Sequence, residues 1–338
     1  MRRSRAFVLT EILMTLMLQA GFVLVLCSAF YVMVSFYTKT QQVMTARNHA
    51  ERVIAFFDDK IRNAGLGLWE CDNSEELRGT LGSLTSDPKP LHGRSLPVSL
   101  TVDQTTKASQ TKSGNVHYGG VITLLYAQRD FSTGNDQNIL LVKGSTDIQA
   151  TGSTITLLDP KASNYTNSEF NSGPTDTTNI KNWAVMEAVG VPFCIPNHNV
   201  SITHDIRGYG KARGKTIPQG GELMYLRCMQ MFVQDTSEGR SLAICELNDT
   251  ATNWGTVYNW EKGILEIYME LDTSTRIFTL WVLASGGTDS TLNNPRPSDW
   301  PSDAAPATWS GSGYEQHIVY VSRASWKLNN IPPNFTWN

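Results

Sequence analysis

Residues 7 to 37, FVLTEILMTLMLQAGFVLVLCSAFYVMVSFY, contain only two side chains that are costly in hydrocarbon, Glu11 and Gln19. About 20 apolar residues are enough for a helix to cross a bilayer, so this stretch reads as a membrane helix. Arg2, Arg3 and Arg5 precede it with no acid before Glu11, which places the short N-terminus in the cytoplasm and the body of the chain on the far side. A cleavable secretory signal has an apolar stretch of only about 7 to 15 residues and a small-x-small site. A lipoprotein signal needs a small residue where Leu26 precedes Cys27. Neither fits. Glu11 remains to be explained, because a charge inside a span costs about 2.5 to 3.5 kcal/mol even on the lenient insertion scale.

Beyond Tyr37 the pattern turns polar but keeps the helical period: Val43, Ala46, Ala50, Val53, Ile54 and Phe57 recur at spacings of three and four, with charges between them. The spacing predicts one helix over 7–64, membrane-spanning over about 7–37 and capped at Ala64-Gly65, where glycine can take the left-handed conformation. At about 1.5 Å per residue its second half must pack on something outside the bilayer.

Ala6 followed by Phe7-Val8-Leu9-Thr10-Glu11 and an apolar helix resembles the class III leader of type IV prepilins and pseudopilins. The resemblance implies a leader over 1–6, cleavage between Ala6 and Phe7 by prepilin peptidase, N-methylation of Phe7, and Glu11 as fifth mature residue. It also implies that Glu11 sets assembly register against an exposed N-terminal amine, which supplies the partner that a buried charge demands. Ala6 stands where glycine is usual and Thr10 where an aliphatic residue is usual, and no proline kinks residues 7–37, which suits a minor subunit. Arg62-Asn63-Ala64-Gly65 is similar to the R-x-A-G turn that closes the helix in PilW-like minor pilins and in J-type pseudopilins of type II secretion.

The remainder, 65–338, reads as a β-rich extracytoplasmic head. GILEIYMELD alternates apolar and polar residues, TSTR turns, and IFTLWVLASGG follows, a hairpin with one buried and one wet face. Further strands are expected at 119–127, 138–144, 154–158, 183–189, 222–234, 240–247 and 315–328. Ser/Thr/Asn/Pro/Gly-rich stretches at 79–118, 160–181 and 286–313 read as surface loops. The fold class expected is α+β, type IV pilin-like: a long N-terminal helix packed on an antiparallel sheet with long loops.

Cys71, Cys194, Cys228 and Cys245 fall in an oxidising compartment, an even number that allows two disulfides in three connectivities. Cys228 with Cys245 is favoured, because they flank the turn DTSEGR and a tight hairpin would set them opposite each other, which leaves Cys71 for Cys194. Trp69, Trp183, Trp281 and Trp326 are expected in the core. GYGKARGKT has Tyr209 where a phosphate-binding loop needs its first glycine, so that motif fails. Arg207, Lys211, Arg213 and Lys215 form a small basic patch whose simplest reading is a solvated loop. GNDQN at 134–138 lacks the spaced ligands of a calcium site. The histidines are scattered and no hydrolase, redox or zinc motif is present, so neither catalysis nor a metal or other cofactor is expected.

The resemblance implies a minor pilin that joins a minor-pilin complex at the tip of a type IV pilus and primes assembly. It would be a single-pass inner-membrane protein before assembly and part of the extracellular pilus afterwards. Its implied partners are other minor pilins, the major pilin, prepilin peptidase and a tip adhesin, with nucleic acid not expected. The alternatives are a J-type pseudopilin of a type II secretion or DNA-uptake filament, and a membrane-anchored extracytoplasmic binding or enzyme domain.

Overall fold

The structure, a computed structural model, describes residues 2–86, 89–101, 117–128, 140–158, 180–198, 203–247, 254–304, 306 and 308–337. The GNDQN stretch at 134–138, read as lacking calcium ligands, and nearly all of the expected loop at 160–181 lie outside the described residues.

One helix, α1 (Arg2–Arg62), runs unbroken through the membrane-type stretch and the amphipathic stretch. Ala46, Ala50, Val53, Phe57 and Ile61, spaced by three and four, are buried, whereas Val43 at the start of that series stays exposed. The helix stops at the expected turn: Gly65 adopts φ +76°, and Leu66 N–H and Leu68 N–H donate to the carbonyls of Asn63 and Gly65. A second helix, α2 (Ser74–Leu81), starts with Asn73 accepting from Glu76 N–H at 2.7 Å while the Glu76 carboxylate accepts from Asp72 N–H at 2.8 Å. Such reciprocal capping fixes the start of a helix too short to persist alone.

The strands are β1 (Val98–Thr101), β2 (His117–Gln128), β3 (Leu140–Leu141), β4 (Thr146–Asp147), β5 (Ser153–Thr156), β6 (Trp183–Val185), β7 (Phe193–His198), β8 (Thr203–Arg207), β9 (Thr216–Ile217), β10 (Glu222–Thr236), β11 (Gly239–Glu246), β12 (Tyr258–Lys262), β13 (Ile264–Asp272), β14 (Ile277–Thr288) and β15 (His317–Lys327). The larger sheet is ordered β1-β2-β10-β6-β7-β8-β5, with β3 and β11 also on β10 and β12 on β11. The smaller sheet is β13-β14-β15, and β4 pairs with β9 in a two-stranded ribbon. All these pairings are antiparallel. An α+β fold with a long N-terminal helix is therefore what the chain adopts.

The small sheet departs from the one-wet-face expectation. Its central strand β14 is buried on both faces from Phe278 to Ala284. The second half of α1 lies against β14 and β15. The described part of the expected surface loop at 286–313 first completes β14, to Thr288, and then returns over the small sheet, where Trp300 and Trp309 join Tyr314, Leu265, Trp281 and Leu283 in a core. Arg296 holds that loop in shape by donating to the carbonyls of Pro301, Ala304 and Pro306. Glu266, read as solvent-facing, is buried, and Tyr314 donates its hydroxyl to it at 3.2 Å. Trp69 is corrected the other way: it is half exposed, with its indole N–H donated to the Glu187 carbonyl, whereas Trp183, Trp281 and Trp326 are buried as expected.

The cysteine expectation is also corrected. The β10–β11 hairpin turns one residue later than the cysteine midpoint, with Thr236 opposite Gly239, so Cys245 faces Gln230 and the Leu247 N–H donates to the Cys228 carbonyl. Cys228 and Cys245 are thus diagonal neighbours two residues out of direct opposition. All four head cysteines are buried, and no disulfide joins them in this structure. Burial, reinforced by nearby Glu76, pushes the Cys71 thiol up to about 12.

Candidate assembly surface

From Thr10 to Val34 every residue of α1 is exposed. Met14, Leu18 and Tyr31 are 70%, 75% and 76% exposed, and Phe22, Leu24, Phe30 and Phe36 are similarly bare. Among the described residues this is one helix long and apolar enough to cross a membrane. Its hydroxyls do not spoil it for lipid. Thr15 donates back to the Glu11 carbonyl at 2.8 Å, Ser28 to Val25 at 2.8 Å and Thr38 to Val34 at 2.9 Å, so each is satisfied within the helix. Ala6 and Phe7 lie on the same helix, one turn before Glu11. Glu11 itself projects from the bare surface, the one carboxylate on it from Thr10 to Tyr37.

The second half of α1 is seated rigidly. A β-carbon built on Gly286 would lie 1.6 Å from the Gln42 carbonyl oxygen, and one on Gly287 would lie 2.7 Å from the Gln42 amide, so helix backbone touches strand backbone there. Two turns further, His49 Nδ1 meets the Glu261 carboxylate at 2.5 Å, with the Arg52 guanidinium at 3.8 Å from the same oxygen. Gly263, the turn residue between β12 and β13, carries the chain past the His49 ring. Phe56 packs on Trp260 with centroids 4.4 Å apart. Asp58 accepts from the Trp326 indole at 2.7 Å and from Arg62 at 2.8 Å, and these bonds hold its carboxyl below the usual range. At the end of the helix Ala127 N–H donates to the Asn63 carbonyl and Gly65 N–H to that of Leu125, which locks the R-x-A-G turn onto β2. Gly286, Gly287 and Glu261 were missed as seat residues. The Gly-Gly pair inside the otherwise apolar strand IFTLWVLASGG was the available signal, since glycine in a strand often marks close backbone approach.

The basic patch is not assembled as a free surface. Lys211 contacts Asp72 at 2.6 Å, Glu76 at 2.9 Å and the Glu70 carbonyl at 3.0 Å, and Lys215 pairs with the Glu70 carboxylate. The Asp72 hydrogen bond, with that of Glu76, raises the Lys211 ammonium above its ordinary value. Arg213 donates to the Gly208 carbonyl. The loop thus clasps the segment that follows α1, and two of its four cations are neutralised by that segment. Arg207 lies on β8 opposite Cys194. Among the described residues no group of three His, Cys, Asp or Glu side chains could hold a metal ion.

No protein-family model, no curated protein and no solved structure matches the chain. The functional argument therefore rests on its own residues.

Proposed function

We propose that the chain is a PilW-like minor pilin: a prepilin cleaved between Ala6 and Phe7, N-methylated at Phe7, held in the inner membrane by α1, and drawn into a minor-pilin complex that starts a type IV pilus. One observation carries the reading. A single helix has a first half bare of head contacts and interrupted by one acid, Glu11, while its second half is fixed to the head by backbone-close packing. A lone membrane anchor has no use for an acid that costs about 2.5 to 3.5 kcal/mol in a span. A subunit whose helix exchanges lipid for neighbouring helices has one, because an N-terminal amine brought beside the carboxylate offsets that cost. On this reading the fold is type IV pilin-like, α1 supplies lateral packing, and the head faces the other subunits.

Mass spectrometry of the native protein tests the proposal and is expected to find a chain that begins at N-methylated Phe7. A chain that keeps Met1 in a cell with active prepilin peptidase sinks it. Glu11→Ala is expected to leave membrane insertion intact and to abolish recovery of the protein in sheared filaments.

A further inference from the structure

β15 is an edge strand of the small sheet. β15 pairs with β14 from Lys327 opposite Ile277 to Val319 opposite Ser285, then past a bulge to His317 opposite Thr288, and among the described residues no strand pairs with its other side. In an antiparallel ladder alternate residues bond to the neighbour and the rest direct N–H and C=O away from it. Two hydrogen bonds fix which are which. Leu328 N–H donates to Arg276 across the ladder, and Ser285, opposite Val319, sends its N–H to Gly263 on the β13 side. Tyr320, Ser322, Ala324 and Trp326 therefore bond to β14, and Val319, Val321, Arg323 and Ser325 present their backbone groups outward. The His317 carbonyl, next in that outward series, is taken by the Asn294 amide at 2.9 Å, so the open run starts after it.

Natural proteins guard such edges with charged side chains, above all lysine, and with bulges, prolines, inward charges or short strands. Here the strand is 11 residues long and lacks proline, glycine and any carboxylate. Its first half, Ile318-Val319-Tyr320-Val321, is β-branched or aromatic and half-buried, and its cations gather at the far end as Arg323 and Lys327. Arg323 lies over the Trp281 ring at 4.8 Å, and among the described residues neither Arg323 nor Lys327 has a carboxylate partner.

We infer that the outer edge of β15 accepts an extended strand from a different subunit of the assembly, apolar where it meets Val319 and Val321 and carrying a carboxylate beside Arg323. The inference rests on the filament reading above. The geometry disfavours a second copy as the natural occupant. β15 runs in the same direction as α1, since Gln42 touches Gly286 near the start of β15 and Asp58 bonds to Trp326 near its end. Copies in one bilayer share the direction of α1, so edge would meet edge in parallel and set Arg323 and Lys327 of each beside those of the other. Like charges in register oppose pairing. A strand of opposite charge meets no such penalty, and pairing along the helix direction links heads along the line of assembly.

Backbone chemistry makes the test selective. Val321→Pro removes one outward N–H and no bond to β14, so the detergent-solubilised chain is expected to melt within about 3 °C of the parent, yet to be missing from sheared filaments. Val321→Ala keeps the N–H and is expected to assemble. Ser322→Pro deletes an inward bond and is expected to unfold the small sheet. By hydrogen exchange on the parent chain alone, the amides of Val319, Val321 and Arg323 should exchange much faster than those of Tyr320, Ser322 and Ala324; equal protection of both sets overturns the open edge. A photocrosslinker at Ser325 in native membranes should join an extended segment of another filament subunit, and a crosslink to a second copy overturns the assignment. Normal assembly of Val321→Pro in a strain where Phe7 is methylated overturns this inference and leaves the minor-pilin reading standing. An uncleaved N-terminus with no filament association removes both.

Discussion

At Gly286 a single methyl group decides whether the rod can sit on its sheet. The backbone there is not left-handed, so alanine is conformationally allowed, but its β-carbon would fall 1.6 Å from the Gln42 carbonyl oxygen, and neither partner is a flexible side-chain end. Gly286→Ala is expected to lift the helix from β14 and to cost at least about 1 to 3 kcal/mol, the usual range for overpacking. A lower denaturant midpoint in detergent, with faster proteolysis after Lys39, is the measurement. A second residue-scale prediction concerns the cysteines. Diagonal strand neighbours stand about 7 to 8 Å apart, whereas the Cα atoms of a disulfide usually lie about 4.4 to 6.8 Å apart. Non-reducing peptide maps are therefore expected to show Cys228 and Cys245 not joined to each other, and a Cys228–Cys245 cross-linked peptide would mean that the hairpin has slipped by two residues.

The elements that the sequence disclosed are those with long apolar runs. β10, β11, β13, β14 and β15 each lie within about two residues of the run that announced them, because strands of this length, several of them buried on both faces, are built from β-branched and other apolar residues. β1, β7, β8 and β12 escaped notice for physical reasons. They are short, β7 carries Pro196, and β12 (Tyr-Asn-Trp-Glu-Lys) takes its place through one buried acid, Glu261, that is paired with His49 on α1. The loop over the small sheet was hidden by its Pro/Ser/Gly composition, although its tryptophans form a core of their own. Glu11 and the helix turn were legible because a charge in an apolar run and a left-handed glycine are local facts, while the seat at Gly286 depends on a helix residue, Gln42, far earlier in the chain. His317 gives this scale its own prediction. Burial, aided by Arg240 and opposed by Glu315, lowers its pKa, and its ring contacts Ser285 at 2.8 Å on β14. A depressed pKa means that the unfolded chain binds the proton more readily, so the stability His317 contributes is present above the ordinary histidine value near 6.5 and is lost as the pH falls through its lower folded value. Melting curves from pH 7.5 to 5 should fall, and His317→Gln should flatten part of that decline.

The whole molecule divides at the point where α1 stops being bare, and that division makes the strongest claim about how head and membrane segment depend on each other. Val53, Phe57 and Ile61 are buried in the same core as Ile122, Leu124 and Tyr126. At about 1.5 to 3 kcal/mol for each large apolar side chain, these three alone are worth roughly 5 to 9 kcal/mol, comparable to the net stability of about 5 to 15 kcal/mol of a typical domain. By contrast, residues 10–40 bury almost nothing against the head. A chain beginning at residue 41 is therefore expected to be soluble without detergent and to melt within a few degrees of the full-length protein in micelles. A chain beginning at residue 66 should fail to fold, because the small sheet then exposes the face of β14 that α1 covered. Phe57→Ala in the longer form should cost about 3 to 5 kcal/mol, a fraction of the same loss. If the shorter chain instead folds cooperatively, α1 is an appended helix and not part of the head, and burial of Val53, Phe57 and Ile61 adds nothing that the head needs to fold.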